Sequence, residues 1–180
     1  MIKEDVVKSP HVDFSFQFNS AREFKKVEKK IYNNLIEISK DCFKNNLRLG
    51  CIIVYGYFDI YKDHIVTGMR QIGINPIQKY SNITIPSFDK DLHLLIKEGN
   101  DGSIIINRDG QILGAKIYLT VDNPVLEVPD GCSTRHITAA SFSTRKDVMS
   151  VFTLSEETLQ VRIWKNGQIS EQYNPDIEEE

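Results

Sequence analysis

Ser103-Ile104-Ile105-Ile106-Asn107-Arg108-Asp109-Gly110-Gln111-Ile112-Leu113-Gly114-Ala115-Lys116-Ile117-Tyr118-Leu119 is two apolar runs joined through Asp-Gly. Asp-Gly accepts the positive φ angles of a tight turn, so the stretch predicts an antiparallel hairpin. A second such signal, Lys165-Asn166-Gly167-Gln168, lies between Leu159–Trp164 and Ile169. Two hairpins exclude a purely parallel sheet. Cys51-Ile52-Ile53-Val54-Tyr55, bracketed by Gly50 and Gly56, is apolar without alternation. Such a run reads as a strand buried on both faces, as in α/β layers. Val148–Leu154 reads as a further strand.

Helices flank these strands. Ser20 stands three residues before Glu23, the spacing of a capping box. Phe24, Val27, Ile31, Leu35, Ile38 and Cys42 then recur at steps of three and four, one face of a helix. The other face carries Lys25, Lys29, Lys30, Asn33 and Asn34. A helix from Ser20 onward, packed on the sheet, is expected. Ser87 is positioned to cap a second helix with Phe88, Leu92, Leu95 and Ile96 inward and Gly99 at its end. Asn75-Pro76 reads as a breaker, and Thr134–Thr144 as a helix whose Ala139, Ala140 and Ser141 suit close packing. The expected fold class is α/β: a single domain with a mixed, twisted central sheet flanked by helices. Residues 1–45 form an N-terminal segment with the amphipathic helix, 46–172 the domain proper, and 173–180 an acidic tail.

The totals agree. A chain of 180 residues with 41% hydrophobic content suits one packed domain rather than a disordered segment. The net charge of −3 and the lack of a basic block argue against a nucleic-acid partner. Cys42, Cys51 and Cys132 are odd in number and form no CxxC, which favours a reducing compartment over a disulfide framework. Met1-Ile2-Lys3-Glu4-Asp5 is no signal peptide, and no apolar run is long enough for a membrane span, so a cytoplasmic location is expected.

Three pieces bear chemistry. Ser133-Thr134-Arg135-His136 follows a glycine turn and opens a helix. Unpaired N–H groups and the positive dipole end favour an anion there, with Arg and His as added donors. Asn100-Asp101-Gly102-Ser103 places a carboxylate at a strand edge, where Mg²⁺ or Mn²⁺ on phosphate oxygens is commonly held. Leu154-Ser155-Glu156-Glu157-Thr158 closes the next strand with further oxygen ligands. Taken singly, each has a plainer reading: an N-cap with a surface Arg, a turn between helix and strand, a polar turn. Cys132 and His136 lack a third orienting group for nucleophilic work. His11, His64 and His93 form no ligand pattern.

In this order and spacing, Asp101-Gly102-Ser103, Ser133-Thr134-Arg135-His136-Ile137 and Ser155-Glu156-Glu157 resemble the Asp-Gly-Ala, Gly-Thr-Arg-His-Arg and Ser-Glu-Glu motifs of the diadenylate cyclase family, in the domain shared with the DNA-integrity scanning protein. The likeness spans about residues 50–170, and residues 1–45 match no feature of the family. It implies condensation of two ATP into cyclic di-AMP with release of pyrophosphate, using Mn²⁺ or Mg²⁺, in a homo-oligomer with face-to-face sites. By the same resemblance Asp101 binds the metal, and Asp101, Gly102, Arg135 and His136 form the catalytic set, with His136 also near the metal. Ser103, Leu119, Thr134, Ser155 and Glu156 then line the nucleotide. Ser103 replaces the usual Ala, and Ile137 the usual second Arg. The second departure leaves open a catalytically weakened or inactive nucleotide-binding module of the same fold. A third reading is an interaction protein whose long helix docks a partner.

Overall fold

The computed structural model of the chain describes residues 14–58, 68–79, 88–97, 101–125, 127–129 and 131–177. Four α-helices are described: α1 (Phe14–Lys44), α2 (Pro76–Lys79), α3 (Phe88–Lys97) and α4 (Thr134–Phe142). Seven strands are described: β1 (Cys51–Gly56), β2 (Met69–Gln71), β3 (Ser103–Asn107), β4 (Ile112–Leu119), β5 (Val148–Leu154), β6 (Val161–Lys165) and β7 (Gln168–Tyr173). They form one sheet in the order β2-β4-β3-β1-β5-β6-β7. Only β1 and β3 run parallel; every other neighbouring pair is antiparallel. The fold is therefore α/β with a mixed sheet, and both Asp-Gly and Asn-Gly signals mark real hairpins.

The central strands are covered on both faces. Ile53, Tyr55, Ile104, Ile106 and Phe152 pack with Ile31, Leu35, Ile38 and Cys42 of α1 and Leu92 and Leu95 of α3. Val54, Ile105, Val151 and Trp164 face the other way and pack with Ala139, Ala140 and Phe142 of α4. This is why the run from Cys51 to Tyr55 does not alternate: strand side chains alternate in direction, yet each direction meets a helix. Polar anchors fix α1 on the sheet. Glu28 accepts from Lys165 Nζ at 2.7 Å and Ser150 Oγ at 2.9 Å, and Ser39 Oγ donates to the Leu159 carbonyl at 2.7 Å.

Three expectations need correction. The first helix does not start at Ser20; α1 already runs from Phe14. Neither Gly nor Pro stands between Phe14 and Ser20, so a permissive capping pair has nothing to enforce it as a start. Asn75-Pro76 does not break a segment but opens α2. Pro76 takes the first helical position, where its missing N–H costs nothing, and Asn75 Oδ1 accepts from Ile77 N–H at 3.2 Å. The acidic tail assigned to 173–180 begins inside the fold: Tyr173, buried, ends β7, and Pro175, also buried, opens a 3₁₀ turn through the exposed Ile177. Ser87 and Gly99, assigned as caps, lie outside the described residues. Among the described residues no helix is long and apolar enough to cross a membrane.

Candidate active site

The strand register gathers the sequence motifs at one end of the sheet. Ile52 pairs with Ser103 and Cys51 with Leu154, so the residues just outside these pairs converge: Gly50 before β1, Asp101-Gly102 before β3, Ser155-Glu156 after β5. Ser103 also pairs with Ile117, which brings the carboxyl end of β4, and Leu119, to the same end. The site therefore lies at the amino ends of the parallel pair, because β4 and β5 run the opposite way. β1 separates β3 from β5, which puts the Asp101 and Glu156 ends about 10 Å apart across the sheet. Asp101 and Glu156 are both exposed.

Gly50 stands between them, and its lack of a side chain is used. A Cβ there would overlap Arg135 Nη1, come 2.8 Å from Arg135 Cζ and 3.0 Å from Glu156 Cβ. The guanidinium of Arg135 thus lies over Gly50 and reaches Glu156 Oε2 at 3.5 Å. With 34% and 55% side-chain exposure, this long pair is a weak one, open to exchange with a stronger anion. Gly50 was the residue that motif reading passed over; only its place before a buried strand marked it.

Gly102 adopts φ +95°, and a Cβ on it would lie 3.0 Å from Ile117 N, Ile117 O and Lys116 C. Its freedom lets β3 approach the β4 main chain closely. Lys116 opposite is itself left-handed, at φ +60°. Ser103 is 1% exposed and its hydroxyl donates to the Ile117 carbonyl at 2.6 Å. The hydroxyl serves the pairing of β3 with β4. Leu119 is 9% exposed, on the α4 side of the sheet. Ser155, also buried, accepts from Thr158 N–H at 3.3 Å. It shapes the turn that displays Glu156, while Arg48 donates to the Glu157 carbonyl.

The first turn of α4 carries the remaining residues. Thr134 is exposed at its start, and Ser133 is the N-cap. His136 is 3% exposed. Its Nδ1 lies 3.1 Å from the Ser133 main-chain N–H and 3.2 Å from Ser133 Oγ. Its Nε2 lies 3.0 Å from Arg162 Nη1. Two donors converge on a ring that keeps one lone pair when neutral and none when protonated. Burial, then Arg162 and Arg135, lower its pKa to about 4. His136 is thus a neutral, buried brace of the helix start, with Nε2 accepting from Arg162 and Nδ1 facing Ser133. Beside Gly50, burial pushes the Cys51 thiol up to about 12, so it offers no thiolate.

Among the described residues no three His, Cys, Asp or Glu side chains cluster as a metal cage. Asp101 and Glu156 are exposed carboxylates, the oxygen donors that a hard divalent cation takes.

Comparison with known proteins gives the family and the fold. The family model for the DAC domain, described as DisA bacterial checkpoint controller nucleotide-binding, matches residues 44–169. A diadenylate cyclase of Methanocaldococcus jannaschii is 30% identical over 114 residues, 62% of this chain and 35% of that protein. The chain spans about a third of that relative's length. The crystal structure of a hypothetical membrane spanning protein from Bacillus cereus shares the fold, with TM-score 0.52 and 20% identity over 79% of this chain and 62% of that one. A DacA double mutant from Staphylococcus aureus aligns at TM-score 0.48 and 23% identity over 84% of this chain and 92% of its own. The matched span contains β1, the Asp101 bend, all of α4 and the Glu156 turn, the elements that converge on Gly50, and the chain belongs to the DAC domain family.

Proposed function

We propose that this chain is a diadenylate cyclase, joining two ATP molecules into cyclic di-AMP with release of two pyrophosphates. The observation that carries the reading is the convergence of Asp101, Glu156 and the Thr134-Arg135 helix start around Gly50, in a chain of this family. The N–H groups and dipole of α4 favour the triphosphate, and Arg135 exchanges Glu156 for a phosphate oxygen. Asp101 and His136, with Glu156 from the next strand end, would hold a divalent metal, Mn²⁺ or Mg²⁺, which would lower the pKa of a 3′-hydroxyl and offset phosphate charge. Each 3′-hydroxyl oxygen bonds to the α-phosphorus of the other ATP, and the bond to pyrophosphate breaks. That exchange needs two sites face to face, hence a pair of protomers. Holding two anionic nucleotides in this orientation can supply roughly 7–11 kcal/mol of the barrier. Leu119 contributes apolar surface near the base.

The test is incubation of the purified protein with ATP and Mn²⁺ or Mg²⁺, followed by mass spectrometry for cyclic di-AMP. Product that disappears in Asp101→Asn supports the reading. ATP bound without product under either metal rejects it.

One observation favours a second reading, a nucleotide-binding module without turnover. Ile137, half-buried in the first turn of α4, occupies the place of a second arginine in the motif it resembles. In that case ATP binds, nothing is made, and Ile137→Arg restores synthesis.

A further inference from the structure

Arg162 of β6 is an unusual residue for its position. It is 9% exposed, inside a strand whose neighbours Val161, Ile163 and Trp164 are core. A buried guanidinium normally pairs with a carboxylate. Here its hydrogen-bond partners among the described residues are all uncharged. Nε donates to Gln172 Oε1 at 2.9 Å, and Nη2 donates to Gln160 Oε1. Nη1 lies 3.0 Å from His136 Nε2 and 3.7 Å from Cys132 Sγ.

Cys132 and His136 stand on either side of the N-cap Ser133. One nitrogen, Nη1, therefore meets both the residue just before the N-cap and the first turn of α4, while Nε and Nη2 hold the same guanidinium to Gln172 and Gln160. His136 in turn meets Ser133 through Nδ1. Two effects follow. The planar fork fixes the angle at which the first N–H groups of α4 leave the sheet, which a flexible cation could not do. Its charge, weakly screened by burial and paired with no acid among the described residues, adds to the positive end of the helix dipole.

We infer that Arg162 is a positioning residue for the triphosphate, acting through His136 and Cys132 to hold the Thr134-Arg135 helix start and to make it electropositive. The inference rests on the nucleotide reading above and deepens it. Arg162 touches no substrate.

The experiment compares ATP and adenosine. Adenosine shares the base and ribose but lacks phosphate, so a general loosening of the fold weakens both ligands alike. Affinities for both are measured by titration on wild type, Arg162→Gln and Arg162→Lys, with a thermal melt of each. The expected result for Arg162→Gln is at least a tenfold loss for ATP with adenosine within about twofold of wild type. Lysine keeps the charge but cannot hold Gln172 and Gln160 while it meets Cys132 and His136, so Arg162→Lys should recover part of the ATP loss. If Arg162→Gln does not fold, the same selective loss in Arg162→Lys carries the inference. Equal losses for both ligands, or unchanged ATP affinity, overturn it. Wild-type protein that binds no ATP overturns the nucleotide reading itself, an outcome distinct from ATP binding that ignores Arg162.

Discussion

Arg135 reaches back across the sheet end to Glu156, 3.5 Å away, over the bare backbone of Gly50. The pair joins the first turn of α4 to the turn after β5, and it exists because position 50 has no side chain. In the proposed function this is the guanidinium that a phosphate oxygen takes over from Glu156.

Gly50→Ala is the direct probe of that relationship. The new methyl meets the movable end of Arg135, so the side chain swings aside and the fold survives. ATP affinity should fall at least tenfold, while stability changes by less than about 1 kcal/mol. Calorimetric titration beside a thermal melt checks both halves; an unchanged ATP affinity would show that Arg135 does not serve the ligand from this position.

Glu156→Gln removes a charge from an exposed pair. The stability cost should stay within about 0.5 kcal/mol. If Glu156 helps hold the metal, the Mn²⁺ concentration for half-maximal cyclic di-AMP synthesis should rise about tenfold, since two carboxylates become one. An identical metal titration would remove Glu156 from the metal site.

His136 predicts a pH dependence of stability. Its pKa is about 4 in the fold against an ordinary 6.5. Between these values the unfolded chain takes up a proton that the folded protein refuses. Stability from this residue is therefore complete above about 6.5 and is lost as pH falls towards 4. The gap corresponds to about 3 kcal/mol. Denaturant unfolding of wild type and His136→Asn across this range should give a shallower acid slope for the variant; parallel slopes would assign the acid loss to other groups.

Gly102→Ala tests the backbone under Asp101. A side chain at φ +95° is strained, and its Cβ would press on the β4 main chain at 3.0 Å. A cost of about 1–3 kcal/mol is expected. It should lower the melting temperature by about 2–4 °C per kcal/mol. A melt equal to wild type would mean that the bend relaxes freely.

The sequence by itself determined the sheet and its layers. The Asp-Gly and Asn-Gly turns need positive φ, which few residues supply, and the apolar runs had to be buried wherever they went. It also marked Asp101, Arg135 and Glu156, through the order of three short motifs. It misjudged the start of α1 and the role of Asn75-Pro76, because capping residues and proline permit an end without enforcing it. Only the tertiary structure decided which polar atoms of these motifs already have partners. Ser103, Ser155 and His136 belong to the same motifs as their exposed neighbours, yet strand pairing, a tight turn and Arg162 claim their polar atoms. Gly50 and Arg162 carry no motif at all. Their roles arise from contacts with residues 85 and 26 positions away, and such distances are set by strand register and helix packing, which local patterns do not encode.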